Sequence, residues 1–294
     1  MKQAHENSEV QLHPRNIFKG HNHVVTGVSA DSVNGFCTGS YDGSVKRYDV
    51  ESGDLIHTFT TPVGSSASVV TSVLCVGPYL LVSYRDKKVK KFLLRTGKAL
   101  YVIDKAHTCS VCCMSATNDI FATGSSDGIA RVFNLEDGGM LRSIQTGSPV
   151  SAILLTEGLT LFTGGDDGGI KKWKLEDCSM EQEFYGHSMS ITALATNGEF
   201  LWSGSKDAVA RQWSLKDTEC IRILAQEGKV GGIVIDGDRV FIAADNTVRE
   251  RSITTNRPGV ILKAHRSQIT SMCTSGDGNL FTGAEDCTAC HWVV

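Results

Sequence analysis

Short apolar stretches alternate along this chain with clusters of Gly, Asp, Asn and Ser. NGFCTG, DIFATG, LTLFTG, EFLWSG and GNLFTG each run into a polar turn, and each turn leads into an apolar, β-branched stretch about one strand long. Apolar runs of that length, bounded by turn formers, read as β-strands. No segment sustains the 3.6-residue apolar period of a helix. Each unit of the pattern reads as four short strands.

The pattern is periodic. GSYDGSVKRYD begins at Gly39, SYRDKKVKKFL at Ser83, GSSDGIARVFN at Gly124, GGDDGGIKKWK at Gly164, GSKDAVARQWS at Gly204 and GAEDCTACHWV at Gly283. A seventh segment, ending at Ser252, carries Asp245 after Ala243 and Ala244. Asp42, Asp86, Asp127, Asp167, Asp207, Asp245 and Asp286 fall in one register, at spacings of 44, 41, 40, 40, 38 and 41 residues. Six residues after each Asp stand Tyr48, Phe92, Phe133, Trp173, Trp213, Arg251 and Trp292, aromatic in all units but one. A lone four-stranded sheet cannot bury both faces, whereas seven set radially bury each on the next. The expected fold is an all-β, seven-bladed propeller, each blade a four-stranded antiparallel sheet.

On these residues the chain resembles the WD40 family, over essentially its whole length. The family's opening Gly-His is matched by Gly20–His21 and Gly186–His187, and by Ala-His at Ala106–His107 and Ala264–His265. The closing Trp-Asp is never literal, and Tyr48–Asp49 comes nearest. The resemblance implies a hydrogen-bonded tetrad of His, Ser/Thr, Asp and Trp within each blade. A buried Asp needs donors and a buried imidazole needs both nitrogens satisfied. With the hydroxyl four residues before the Asp, complete tetrads are His187/Ser203/Asp207/Trp213 and His265/Thr282/Asp286/Trp292. His21/Thr38/Asp42/Tyr48 is a variant, His107/Thr123/Asp127 ends on Phe133, and Thr163/Asp167/Trp173 has no His. Units two and six lose the hydroxyl (Val82, Phe241) and the His (Ser66, Gln226) together. A partly satisfied network costs more than none, so coupled loss is expected. A Ser, a His and an Asp in one unit look catalytic, but recurrence every ~40 residues is the mark of blade architecture.

The last unit stops at Val294, two residues after Trp292, and the lead-in Asn16–Lys19 resembles the segments before Gly186 and Ala264. Residues from about Val10 to Lys19 are therefore expected to supply the outer strand of the last blade, closing the ring and removing an open edge. The domain reading is a short polar tail over 1–9 and one propeller over 10–294.

Composition narrows the classes. The 294 residues include 30 Gly and only 5 Pro, which suits a chain rich in tight turns. The net charge of −3 gives no basic field for nucleic acid or an anionic membrane. No apolar run is long enough for a membrane span, and residues 1–16 have no apolar core for a signal peptide. Ten cysteines without an export signal read as free thiols, so a cytoplasmic or nuclear protein is expected.

Three clusters could mislead. Cys287–His291 fits the CxxCH haem-attachment pattern, but it falls in a strand, whose alternate side chains face opposite ways. Cys109, Cys112 and Cys113 with His107 suggest zinc, yet His107 belongs to a tetrad and buried thiols explain the rest. Arg85–Lys91 is the one dense basic stretch, read as a solvated turn and exposed strand, with an anion contact on one blade as the alternative. The bases four residues after each Asp (Lys46, Lys90, Arg131, Lys171, Arg211, Arg249) read as architectural. No phosphate loop or HExxH is present. No cofactor or metal is expected.

The resemblance implies a non-catalytic scaffold or adaptor that binds protein or peptide partners on its top face, as a monomer within larger complexes. Residues just before each Asp should rim the channel there: Tyr41, Arg85, Ser126, Asp166, Lys206, Ala244 and Glu285. Loop residues after the His column add His23, Ser110, Met189, Lys229, Arg266 and Gln268. One tyrosine, two bases and two acids suit a peptide carrying both charges. A substrate-recognition subunit of a ubiquitin ligase is the narrower alternative, although no F-box or linker segment is evident. An enzyme working in the central channel is the remaining one.

Overall fold

In the computed structural model, which describes residues 10–31, 34–59 and 68–294, every regular element among those residues is a β-strand. They form seven sheets. Blade one is Val25–Ala30, Gly35–Ser40, Val45–Asp49 and Leu55–Phe59; blade two is Val70–Val76, Tyr79–Tyr84, Val89–Leu93 and Ala99–Ile103. Blade three is Val111–Ala116, Ile120–Ser125, Ile129–Asn134 and Met140–Gln145; blade four is Val150–Leu155, Thr160–Gly165, Ile170–Lys174 and Ser179–Phe184. Blade five is Ile191–Thr196, Phe200–Ser205, Val209–Ser214 and Cys220–Ala225; blade six is Val230–Asp236, Arg239–Ala244, Thr247–Ser252 and Pro258–Lys263. Blade seven takes Ile269–Thr274, Asn279–Ala284 and Thr288–Val293 from the C-terminal end. Within each blade successive strands pair antiparallel, and each first strand packs on the first strands of both neighbours, the last on the first. This is the seven-bladed propeller that the repeat predicted.

Burial follows from that packing. A second strand has neighbours on both faces, so Gly35–Ser40 is buried at every residue, whereas the outer strand Cys220–Ala225 alternates half-buried with exposed. The repeated Gly of the second strand answers to the same constraint. A Cβ on Gly204 would lie 2.3 Å from Val230 Cγ1, and one on Gly39 2.6 Å from Val70 Cγ1, each in the first strand of the next blade. Part of the glycine excess thus serves close sheet packing, not only the tight turns that composition suggested.

The seams carry polar bolts as well. Outer-strand side chains reach a backbone carbonyl of the following blade: Asn16 to Val50 (3.2 Å), Tyr101 to Leu135 (3.1 Å), Arg142 to Leu175 (3.1 Å), Gln182 to Leu215 (2.9 Å), and Arg222 to Ile253. Near the channel, each first strand has a register irregularity after its first residue. At this bulge Thr26, Thr192 and Thr270 donate to Val70, Val230 and Val25 of the next blade.

Asn16–Lys19 pairs antiparallel with Thr288–Val293, Phe18 opposite Ala289, and so completes blade seven. Phe18 is buried, 4.7 Å from Phe36 and 5.0 Å from Tyr48 of blade one. The segment ahead of it departs from expectation. Gln11–Leu12 pairs parallel with Ile261 and Leu262 in blade six, making that sheet five-stranded. The arm is split because Leu12 packs among the apolar side chains of blades six and seven, on the blade-six edge.

Candidate functional site

The tetrads come first because they hold the loops of the top face. In blade five, Trp213 Nε1 donates to Ser203 Oγ at 2.8 Å. An indole nitrogen is a donor only, so the serine spends its own proton on His187 Nε2, 2.8 Å away. That nitrogen is then the bare one, and Nδ1–H donates to Asp207 at 2.8 Å. Blade seven repeats the chain: Trp292 to Thr282 (3.0 Å), Thr282 to His265 (2.8 Å), and His265 to Asp286 (3.2 Å). Blades one and three keep the inner pairs, His21 with Thr38 (2.8 Å) and Asp42 (2.9 Å), and His107 with Thr123 (2.7 Å) and Asp127 (3.1 Å). Tyr48 also engages Thr38, while Phe133 brings no donor. In blade four Trp173 donates to Thr163 (2.9 Å), and Gly147 stands where a His would be. A hollow of about 10 Å³ there is lined by Thr146, Ser148, Thr163 and Asp167, room for about one water. Ser66 of unit two lies outside the described residues.

Electrostatics agree with this direction of donation. Burial lowers the pKa of His107, His187 and His265 and outweighs the pull of their aspartates, which keeps the rings neutral. Burial works against ionising Asp207, but hydrogen bonds from His187 and the Ser188 N–H hold its carboxyl below the usual range. Each of these carboxylates also takes the N–H of the residue after its His: Asn22, Thr108, Ser188 and Arg266. The tetrad thereby ties a top-face loop to the turn carrying the Asp.

Those turns surround a cavity of about 470 Å³ at the channel mouth. Of the residues expected at the rim, Tyr41, Ser126, Asp166, Lys206, Lys229 and Gln268 line it. Arg85 joins them, its guanidinium 5.1 Å over the Tyr41 ring, and the His23 ring lies 5.5 Å from that of Tyr41. Ser110 donates to the Arg85 carbonyl, and Glu285 pairs with Lys229 at 3.4 Å. Met189 and Arg266 are exposed on their loops but do not line the cavity. Ser190, which holds Asp166 at 2.6 Å, and Cys112, 3.1 Å from Ser126 Oγ, also line the wall. Their positions follow from the bulge and the blade entry, which alternation of apolar and polar residues does not reveal.

Two expectations need correcting. Ala244 is buried and does not reach the rim. Blade six turns through two residues, Asp245 and Asn246, between paired Ala244 and Thr247, while blade one uses three. With one residue fewer, Asp245 moves to the rim position: its N–H bonds the Lys229 carbonyl as the Tyr41 N–H bonds Val24. Its positive φ of 51° is the left-handed conformation that such a two-residue hairpin demands. The second correction is Lys91, placed on an exposed strand by its charge. It is 2% exposed, with Nζ 3.7 Å over the Tyr79 ring and donating to the Leu135 carbonyl at 2.7 Å. The aromatic flank and the next blade's carbonyl replace its water.

The other clusters disperse. Cys290 is buried, its thiol pushed up to about 12 by burial, while Cys287 sits in the preceding turn and His291 bonds Asn279 at 2.7 Å. Cys109 is exposed, Cys112 faces the mouth, and Cys113 packs toward Val150. Among the described residues no group of three or more His, Cys, Asp and Glu is placed to hold a metal ion. Of the basic column, Lys171 donates to the Thr146 carbonyl at 2.7 Å and Arg131 to Ala106, each fastening a top-face loop.

The profile of the WD domain, G-beta repeat family matches residues 12–49, 97–134, 178–214 and 256–292. The chain belongs to the WD40-repeat family. The four matched repeats are the ones that carry a His–hydroxyl–Asp set, and the unmatched ones lack the His. Among curated WD40 relatives, a WD repeat domain-containing protein 83 homolog from Dictyostelium discoideum is 26% identical over 129 residues, 43% of this chain. Eukaryotic translation initiation factor 3 subunit I from Candida glabrata is 26% identical over 127 residues, 39% of this chain. The matches span 39% and 37% of those relatives' own lengths.

Proposed function

We propose that this WD40 propeller is a non-catalytic scaffold that holds protein partners over its channel mouth. The observation that carries this is the mouth itself: one cavity walled by Tyr41, Lys206, Lys229 and Asp166, with Arg85 against Tyr41. Aromatic and Arg side chains around a concavity, with mixed charges beside them, are the chemistry of interface hot spots. A rigid closed ring supports them, so little ordering entropy is lost on binding. The likeness to a subunit of translation initiation factor 3 supports work within a larger assembly. The ten thiols, none in a disulfide, support a reducing compartment in cytoplasm or nucleus. The ubiquitin-ligase and channel-enzyme readings have no specific observation in their favour. Co-purification from native extract with wild type, Tyr41→Ala and Lys206→Ala tests the proposal. Partners lost from both variants, with the melting temperature unchanged, are the expected result. An identical partner set on all three contradicts it.

A further inference from the structure

The top face is not evenly charged. On blade two, Arg85 and Lys87 are exposed on one turn and Lys105 on the adjoining loop. The two segments are joined by the Ala106 N–H to the Lys87 carbonyl at 2.9 Å, so they present one surface. Lys90 lies against it with Nζ 4.9 Å over the Tyr84 ring, and Lys88 is paired with Asp104 at 3.2 Å. Asp86 and Asp104 are the only acids on these two segments, against five bases.

The backbone adds a second observation. The residue after the repeating Asp has positive φ in blade after blade. It is Gly43 at 82°, Gly128 at 75° and Gly168 at 84°, and also Ala208 at 62° and Cys287 at 67°, so the three-residue turn itself sets this conformation. In blade two that position is Lys87, at 76°, and Lys105 in the adjoining loop is left-handed as well, at 57°. Two long cations are held in a backbone conformation that a β-carbon disfavours, side by side and in solvent. Their backbones hold the turn, but among the described residues neither ammonium group makes a hydrogen bond or ion pair, unlike that of Lys91 beside them. The turn demands the conformation but not the charge, which leaves both ammonium groups to a ligand.

Resting on the reading of the top face as a protein-binding surface, we propose that blade two is a cationic platform for a carboxylate-rich segment of the partner. That segment continues over Arg85 and Tyr41 into the mouth. Four of the five bases are lysines, which are spaced point charges and not the planar forks that grip a single phosphate. A run of Asp and Glu side chains matches that spacing, and the mixed charges of the mouth take the uncharged or basic residues that follow.

The test uses the full chain and a fluorescein-labelled peptide of alternating Glu and Gly ending in Tyr, read by anisotropy. The variants are Lys87→Gly, Lys105→Gly and the double variant. Glycine suits both backbone positions, so their melting temperatures should stay level or rise. Peptide affinity should fall by about five-fold or more in the double variant, and wild-type affinity should weaken with salt. Peptide binding that is equal in wild type and double variant overturns the platform. So does tighter binding of an equally charged phosphoserine peptide, of phosphatidylserine vesicles, or of a homopolymeric RNA. If the double variant keeps its partners in extract while Tyr41→Ala loses them, the platform falls and the mouth stands. If both keep them, both readings fall.

Discussion

Ser203 has one proton and two partners, and the direction of that proton decides the charge state of its blade. Trp213 must donate to it, so the serine must donate to His187, and the ring stays neutral against an ionised Asp207. Removing the imidazole leaves a buried hydroxyl without its acceptor and a carboxylate without its main donor. His187→Ala should therefore cost about 2–3 kcal/mol of stability, read in a denaturant melt; a change near zero would show that the network does not support the blade. Acid should act on the same groups. The folded pKa of His107, His187 and His265 is lowered, so below about pH 6.5 the unfolded chain takes up protons that the folded one refuses. Their contribution is present above that pH and is lost as pH falls. The lowered tetrad aspartates, Asp42, Asp127, Asp207 and Asp286, add a second loss below about pH 4. The melting temperature should drop between pH 7 and pH 5, less steeply in His187→Gln; a flat profile contradicts the neutral-ring assignment.

At the scale of strands, the ring is closed by one short arm doing two jobs. Asn16–Lys19 supplies the missing strand of blade seven, with Phe18 wedged against blade one, whereas Gln11–Leu12 covers the edge of blade six. Removing residues 1–15 takes away the blade-six strand, with the Arg15 N–H bond to His291, but leaves Asn16–Lys19 in place and should lower the melting temperature slightly. Removing residues 1–19 takes the ring closure too and should prevent cooperative unfolding. Equal behaviour of the two truncations would show that Phe18 and its ladder do not close the ring. Strand order and the closing strand were legible because turn residues and the Asp column repeat in register. The blade-six pairing was not, since Gln11 and Leu12 carry no pattern of their own and find their place through Leu12 burial against the next seam. Asp245 misled for a related reason. Spacing counts residues, but a turn one residue shorter shifts an acid from tetrad position to rim without disturbing the strand that follows. Lys91 misled because charge reads as exposure until Tyr79 and Tyr101, on the two strands beside its own, close over it.

Across the whole molecule, the tetrads and the channel mouth use separate residues that meet at the loops. The tetrads spend their Ser, His and Asp on holding loops, which is why a constellation that looks catalytic is structural. The mouth is built from what lies one residue before the Asp and a few after the His. It was therefore readable from the repeat wherever the turns keep a common length. Its bulge residues, Cys112 and its counterparts, were not, because a bulge inverts the side-chain alternation on which such reading rests. The central claim is that partners are held at this mouth and not at the rim of outer strands, where Ile221 and Ile223 stand exposed. Quantitative co-purification with a Tyr41→Ala/Lys206→Ala protein, beside an Ile221→Ser/Ile223→Ser protein of equal melting temperature, tests it most directly. The account predicts that the mouth variant loses the partners and the outer-strand variant keeps them; the opposite pattern would contradict it.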